Sequence, residues 1–83
     1  MDKILVSIYV ATIDESYDLF LPINMKVKIA TFLVQKVIRN LSDGNYLVNQ
    51  NALLYDAISG YVININNIVK DSGIVNGSKL LLI

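Results

Sequence analysis

Residues 4–41 read ILVSIYVATIDESYDLFLPINMKVKIATFLVQKVIRNL, and a change of period within this stretch decides the fold. Ile4, Val6, Ile8 and Val10 alternate with Leu5, Ser7 and Tyr9. That is the two-residue period of a strand with one apolar and one mixed face. Thr12 to Ser16 carries Asp14 and Glu15 and reads as a turn. Beyond it Tyr17, Leu19 and Leu21 share one face, with Asp18 and Phe20 on the other. Two strands about a short polar turn make a β-hairpin, and Pro22, which has no N–H to donate, ends the second strand. From residue 26 the period lengthens. Val27, Ala30, Val34, Val37, Ile38 and Leu41 recur at three- and four-residue spacing with Leu33 alongside, the apolar stripe of a helix over 26–41. Lys28, Thr31, Gln35, Lys36 and Arg39 fall on its other face. Asn24 is the expected N-cap, and Ser42-Asp43-Gly44-Asn45 stops the helix.

Downstream the periodicity weakens. Asn49, Gln50 and Asn51 read as loop, and 53–58 and 61–65 as two short strands around the turn dipeptide Ser59-Gly60. Asn64, Asn66 and Asn67 then break the pattern. Asp71-Ser72-Gly73 and Asn76-Gly77 are turn signals, with Ile74 and Val75 between them placed to plug the core. Lys79 to Ile83 is a last strand, apolar on both faces. The order strand, strand, helix, strand, strand, strand predicts an α+β fold of the β-grasp type. Its single domain spans 1–83, with one main helix on one face of a five-stranded mixed sheet whose first and last strands lie together at the centre. Ile4, Val6, Ile8, Leu19, Leu21, Leu80 and Leu82 are the expected inward strand residues.

Composition narrows the function. The chain has 83 residues, seven Lys and Arg against seven Asp and Glu, and no His, Cys or Trp. Disulfides, Cys/His zinc sites and His-dependent catalytic triads are therefore excluded. Zero net charge argues against a general nucleic-acid binder. Mean hydropathy is +0.52, yet the longest apolar run, Ile4 to Ile13, is too short to cross a membrane. No small-x-small cleavage motif follows it, so a signal peptide is not expected and the default location is the cytoplasm. The carboxylates fall mainly in turns, where Asp serves local hydrogen bonding, and no Gly-rich phosphate loop is present. No enzyme activity, cofactor or metal is expected.

The hairpin ending Tyr17-Asp18-Leu19-Phe20-Leu21-Pro22, the helix opening Val27-Lys28, and the closing Asp71-Ser72-Gly73-Ile74-Val75-Asn76-Gly77-Ser78-Lys79-Leu80 together resemble ubiquitin-like proteins. Their spacing is most similar to the YukD/EsaB family, bacterial ubiquitin-like proteins of type VII secretion loci in Gram-positive bacteria. Lys26 departs from the proline that family often has before the helix, and residues 43–52 do not align. The resemblance implies a non-conjugated adaptor that binds a cytoplasmic secretion component without covalent attachment. Ubiquitin and the sulfur carriers act through a Gly-Gly tail, and none follows Leu80-Leu81-Leu82-Ile83. The alternatives are a sulfur carrier or modifier lacking that tail here, or a β-grasp domain of a larger membrane protein.

Two surfaces are candidates for protein contact. The first is the open sheet face, where Leu5, Tyr9, Leu81 and Ile83, with Ile58 from a neighbouring strand, form one apolar patch. Ubiquitin is read through this face, and Asp56 aligns with the centre of its patch. The second is the outer helix face, where Phe32 lies among Lys28, Lys36 and Arg39, a setting suited to an acidic partner. The bland counterparts are a sheet face covered by a loop or by weak self-association, and a Phe32 packed over the helix edge against 43–52.

Overall fold

The alternation at the start of the chain becomes strand β1, Lys3–Val10, with Val6, Ile8 and Val10 at most 1% exposed. A computed structural model describes residues 2–83. β2, Glu15–Pro22, returns antiparallel in the register Ile4↔Leu21, Val6↔Leu19, Ile8↔Tyr17. The turn between them places Asp14 at φ 52°, a left-handed conformation that Asp tolerates better than most residues. Helix α1 runs Val27–Leu41. Strand β3 is short, Leu54–Asp56, a single 3₁₀ turn covers Val69–Asp71, and β4 is Lys79–Leu82. The sheet order is β2-β1-β4-β3, with β4 parallel to β1 and antiparallel to β3. The first and last strands lie together at the centre, as the β-grasp reading requires.

The Asn76-Gly77 turn signal has a tertiary role. Asn76 Oδ1 accepts the Leu5 N–H at 2.8 Å, and the Gly77 N–H donates to the Leu5 carbonyl at 2.7 Å. The turn thus grips β1 just before the β1–β4 ladder begins, and Gly77 meets its φ of +89° without a side-chain penalty.

Among the described residues the sheet has four strands, not five. The segment after β3 returns across it, with Asp56 N–H bonded to the Tyr61 carbonyl and Ile63 N–H to that of Leu54, both at 2.8 Å. Only one bridge forms between it and β3, Tyr55↔Val62. The chain then turns on Asn64, whose Oδ1 accepts the Asn66 N–H at 2.9 Å. This turn delivers the carbonyls of Asn67 and Ile65 to the N–H groups of Val27 and Lys28. The expected fifth strand is thereby spent on capping α1. Asn24 is accordingly not the N-cap: that position is Lys26, with no side-chain cap bond, and backbone carbonyls satisfy the helix's first donors instead.

The core is formed by the inner sheet face, α1 and the 46–54 and 63–74 segments. Leu21, Leu80 and Leu82 are buried as expected, while Ile4 and Leu19 are partly buried. Ile74 plugs the core, but Val75 is 62% exposed. The helix presents a different stripe from the expected one. Val27, Ala30, Thr31, Val34, Gln35 and Ile38 are buried. Leu33, Val37 and Leu41, assigned inward by periodicity, are 41%, 43% and 58% exposed. Thr31 is accommodated by donating its hydroxyl to the Val27 carbonyl at 2.8 Å. Gln35 accepts from the Tyr46 hydroxyl at 2.7 Å and the Asn49 N–H at 2.8 Å.

Candidate interaction surfaces

Register determines what the open sheet face displays, since residues directly opposite across a ladder point the same way. One row is Phe20–Leu5, the next Asp18–Ser7–Lys79, and the third Ser16–Tyr9–Leu81–Tyr55. Leu5 and Tyr9 are 39% and 38% exposed, Leu81 is half-buried and Ile83 is exposed. The face therefore holds two apolar clusters, Leu5–Phe20 and Tyr9–Leu81–Tyr55, divided by a polar row. The single patch expected from the alternation is corrected in that respect. Ile58 is corrected too: it is 84% exposed but lies in the turn after β3, on no strand. Phe20 and Tyr55 join the face although the candidate set omitted them. The phase of Phe20 against Leu19 and Leu21 was the available signal, whereas Tyr55 needed the β3–β4 register.

Asp56 does not stand at the centre of this face. It pairs with inward Leu80 while Tyr55 pairs with outward Leu81. Its Oδ1 accepts the N–H groups of Ser59 and Ile58, each at 2.9 Å, and these bonds hold its carboxyl below the usual range. Asp56 is a turn former. At the other end of the face the Tyr9 hydroxyl donates to Asp14 at 2.5 Å, which, with some desolvation and the carboxylate's charge, raises the Tyr9 phenol's pKa. Lys3 Nζ sits 4.8 Å from the Phe20 ring centroid, a cation–π contact that covers one edge of the Leu5–Phe20 cluster.

On the helix, Lys28, Phe32, Lys36 and Arg39 are all exposed, Phe32 at 42%. Lys36 Nζ rests 4.7 Å from the Phe32 ring centroid. Phe32 and Lys28 line a groove of about 410 Å³ between α1 and residues 50–53, with Ile29, Gln35, Ala52 and Ile65 among its walls. A second groove, about 450 Å³, opens between α1 and edge strand β2 and is lined by Leu19, Phe20, Leu33 and Val37 among others. The displaced apolar stripe of α1 is exposed there. Among the described residues no cluster of three or more Asp, Glu, His or Cys side chains could hold a metal ion, and no helix is long and apolar enough to cross a membrane.

No family model matches the chain, and no curated protein does. Solved structures do. The EccD5 ubiquitin-like domain from Mycobacterium xenopi superposes with TM-score 0.79 and 16% identity, over 100% of this chain and 94% of that one. The ubiquitin-like domain of the Mycobacterium tuberculosis type VII secretion system protein ECCD1 gives TM-score 0.73 and 18% identity over 100% and 99%. A chain of the MycP5-free ESX-5 inner membrane complex gives 0.78 and 15%, and this chain spans only 21% of its length. At these identities the likeness establishes a ubiquitin-like β-grasp fold.

Proposed function

We propose that this chain is a ubiquitin-like docking domain of a type VII secretion machine, acting by non-covalent protein binding in the manner of the YukD/EsaB family. The observation that carries this is the end-to-end likeness to two EccD ubiquitin-like domains. The sheet face is the first docking surface, with Leu5, Tyr9, Leu81 and Ile83 joined by Phe20 and Tyr55, and the helix face is the second. The partner is a cytoplasmic component of the machine, and the domain needs neither catalysis nor a cofactor. Exposed aromatic and leucine side chains on a rigid sheet suit such contact, because they add buried area at small entropic cost.

The test is affinity capture from native host lysate, with the wild-type domain beside a Tyr9→Ser, Leu81→Ser variant. Both side chains point out of the core, so the variant is expected to fold. Capture of secretion ATPase or membrane components by the wild type alone supports the proposal. Capture by neither overturns the secretion role, and equal capture by both moves the contact off the sheet face.

A second reading has its own support. The 21% span within the ESX-5 chain favours a domain of a larger membrane protein. The coding sequence after Ile83 separates the readings: a stop codon supports a free adaptor, a long apolar continuation the larger protein, and a Gly-Gly codon pair the carrier or modifier.

A further inference from the structure

We infer that the groove between α1 and residues 50–53 binds an extended, acidic segment of a partner protein through one apolar anchor residue. This rests on the reading that the domain docks proteins, and it names the partner chemistry of the second surface. Three observations carry it. The first is charge. Between Asp18 and Asp43 the chain has Lys26, Lys28, Lys36 and Arg39 and no acidic residue. At 3.6 residues per turn Lys28, Lys36 and Arg39 share one ridge with Phe32. Lys28 lines the groove and Lys36 reaches its rim over the Phe32 ring, with no carboxylate on the helix to neutralise them.

The second observation is the apolar floor. Phe32 and Ile29, 42% and 51% exposed, face Ala52 and Ile65 across the groove. The Lys36 ammonium lies over the Phe32 ring, so an entering apolar side chain and an adjacent carboxylate would meet ring and ammonium together. The third is a polar donor in the wall. Gln35 lines the groove and is 2% exposed. Its Oε1 is engaged twice, by Tyr46 and Asn49, while its Nε2 donates to no described residue. No buried side-chain N or O atom among the described residues lacks a partner, so Nε2 keeps some exposure, on a side chain that lines the groove. A carboxamide N–H there calls for an acceptor, which a backbone carbonyl or carboxylate of the segment supplies. A second copy of this chain fits less well. Its acidic hairpin tip is partly occupied, since Asp14 accepts the Tyr9 hydroxyl.

The experiment is a titration of the isotopically labelled chain with acetylated, amidated Asp-Glu-Asp-Leu-Phe-Asp-Glu-Asp, followed by amide NMR shifts. The controls replace every acid with Lys, or Leu-Phe with Ser-Ser. The proposal expects shifts confined to the exposed residues of Lys28–Arg39, the Gln35 side-chain amide, 50–53 and Ile65. Binding should weaken as salt is raised, and neither control peptide should compete. Lys28→Glu with Lys36→Glu should reduce affinity about ten-fold or more, since two attractions become repulsions. Phe32→Ala should do so without changing charge, and preserved dispersion of the remaining resonances shows that each variant folds. Absence of binding, equal binding of the Lys peptide, or shifts elsewhere overturns the proposal. So does concentration-dependent self-association abolished by Lys36→Glu, or tighter binding to mixed-sequence duplex DNA. The sheet-face capture changes none of these residues, so either result can fail without the other.

Discussion

Gln35 is 2% exposed, and its single oxygen serves two donors from the following loop, Tyr46 hydroxyl and Asn49 N–H. Gln35→Leu keeps the volume and removes the acceptor from both. Stranding the buried Tyr46 hydroxyl costs about 1–3 kcal/mol, and the part-buried Asn49 N–H, which water can reach, adds less, so a loss of about 1–4 kcal/mol is expected in urea denaturation. Tyr46→Phe removes one donor and leaves Asn49 bonded, and should cost only about 1 kcal/mol. Tyr46 also makes stability depend on pH. Burial raises its phenol pKa above the ordinary 10.0. Between 10.0 and that raised value the folded chain keeps a proton that the unfolded chain releases. Stability from this group is therefore complete below about pH 10 and falls as pH rises through that window. Tyr9, raised first by its bond to Asp14, adds to the same decline. Denaturation midpoints measured from pH 8 to about pH 11.5 should fall at the alkaline end, and less steeply in Tyr46→Phe. None of this was legible in the sequence. A polar residue on an amphipathic helix reads as solvated unless its partner is known, and Tyr46 lies 11 positions away in a loop without periodicity.

Helix α1 shows where pattern reading succeeds and where it drifts. Its extent follows from the 3.6-residue period, and the structure moves the start by one residue, to Val27. Its orientation does not follow. Apolar residues occupy so wide an arc that the inward direction is ambiguous, and the buried face is turned about 40–50° from the stripe's centre at 3.6 residues per turn. Ile38 is fully buried while Val37, one residue away, is 43% exposed. Ile38→Ala should therefore cost about 2–5 kcal/mol, and Val37→Asn should stay within about 0.5 kcal/mol of wild type. Thermal melts of the pair decide between the periodic stripe and the observed one. The same contrast runs through the strands. β1, β2 and β4 alternate cleanly, so the outward placement of Leu5, Tyr9 and Leu81 could be read directly. Residues 57–68 are held by Asp56 and Asn64 bonding nearby N–H groups. Such turns leave no period to read, which is why the strand expected at 61–65 does not form and the one expected at 53–58, which carried Ile58, stops at Asp56.

For the whole molecule the decisive feature is that β4 lies between β1 and β3. The central parallel pair joins Ser7–Val10 to Lys79–Leu82 across nearly the full chain, so the sheet closes only when the last residues arrive. Leu80 and Leu82 are each 1% exposed, and burying both is worth about 3–6 kcal/mol. A domain of 83 residues has a net stability of only about 4–12 kcal/mol. Removing residues 78–83 also takes from β3 its one strand neighbour in the sheet. The truncated chain is therefore expected to be unfolded, read as loss of amide NMR dispersion; a dispersed spectrum would mean that the hairpin and helix fold without the closing strand. Because β4 alternates, it also separates folding from binding at adjacent positions. Leu82 points into the core and Leu81 into the outer cluster with Tyr9 and Tyr55. Leu82→Ser should unfold the domain or bring it to the edge of unfolding. Leu81→Ser should leave the melting transition nearly unchanged while lowering capture of the sheet-face partner. If both variants lost stability alike, Leu81 would belong to the core and the outer face would have no claim as a docking surface.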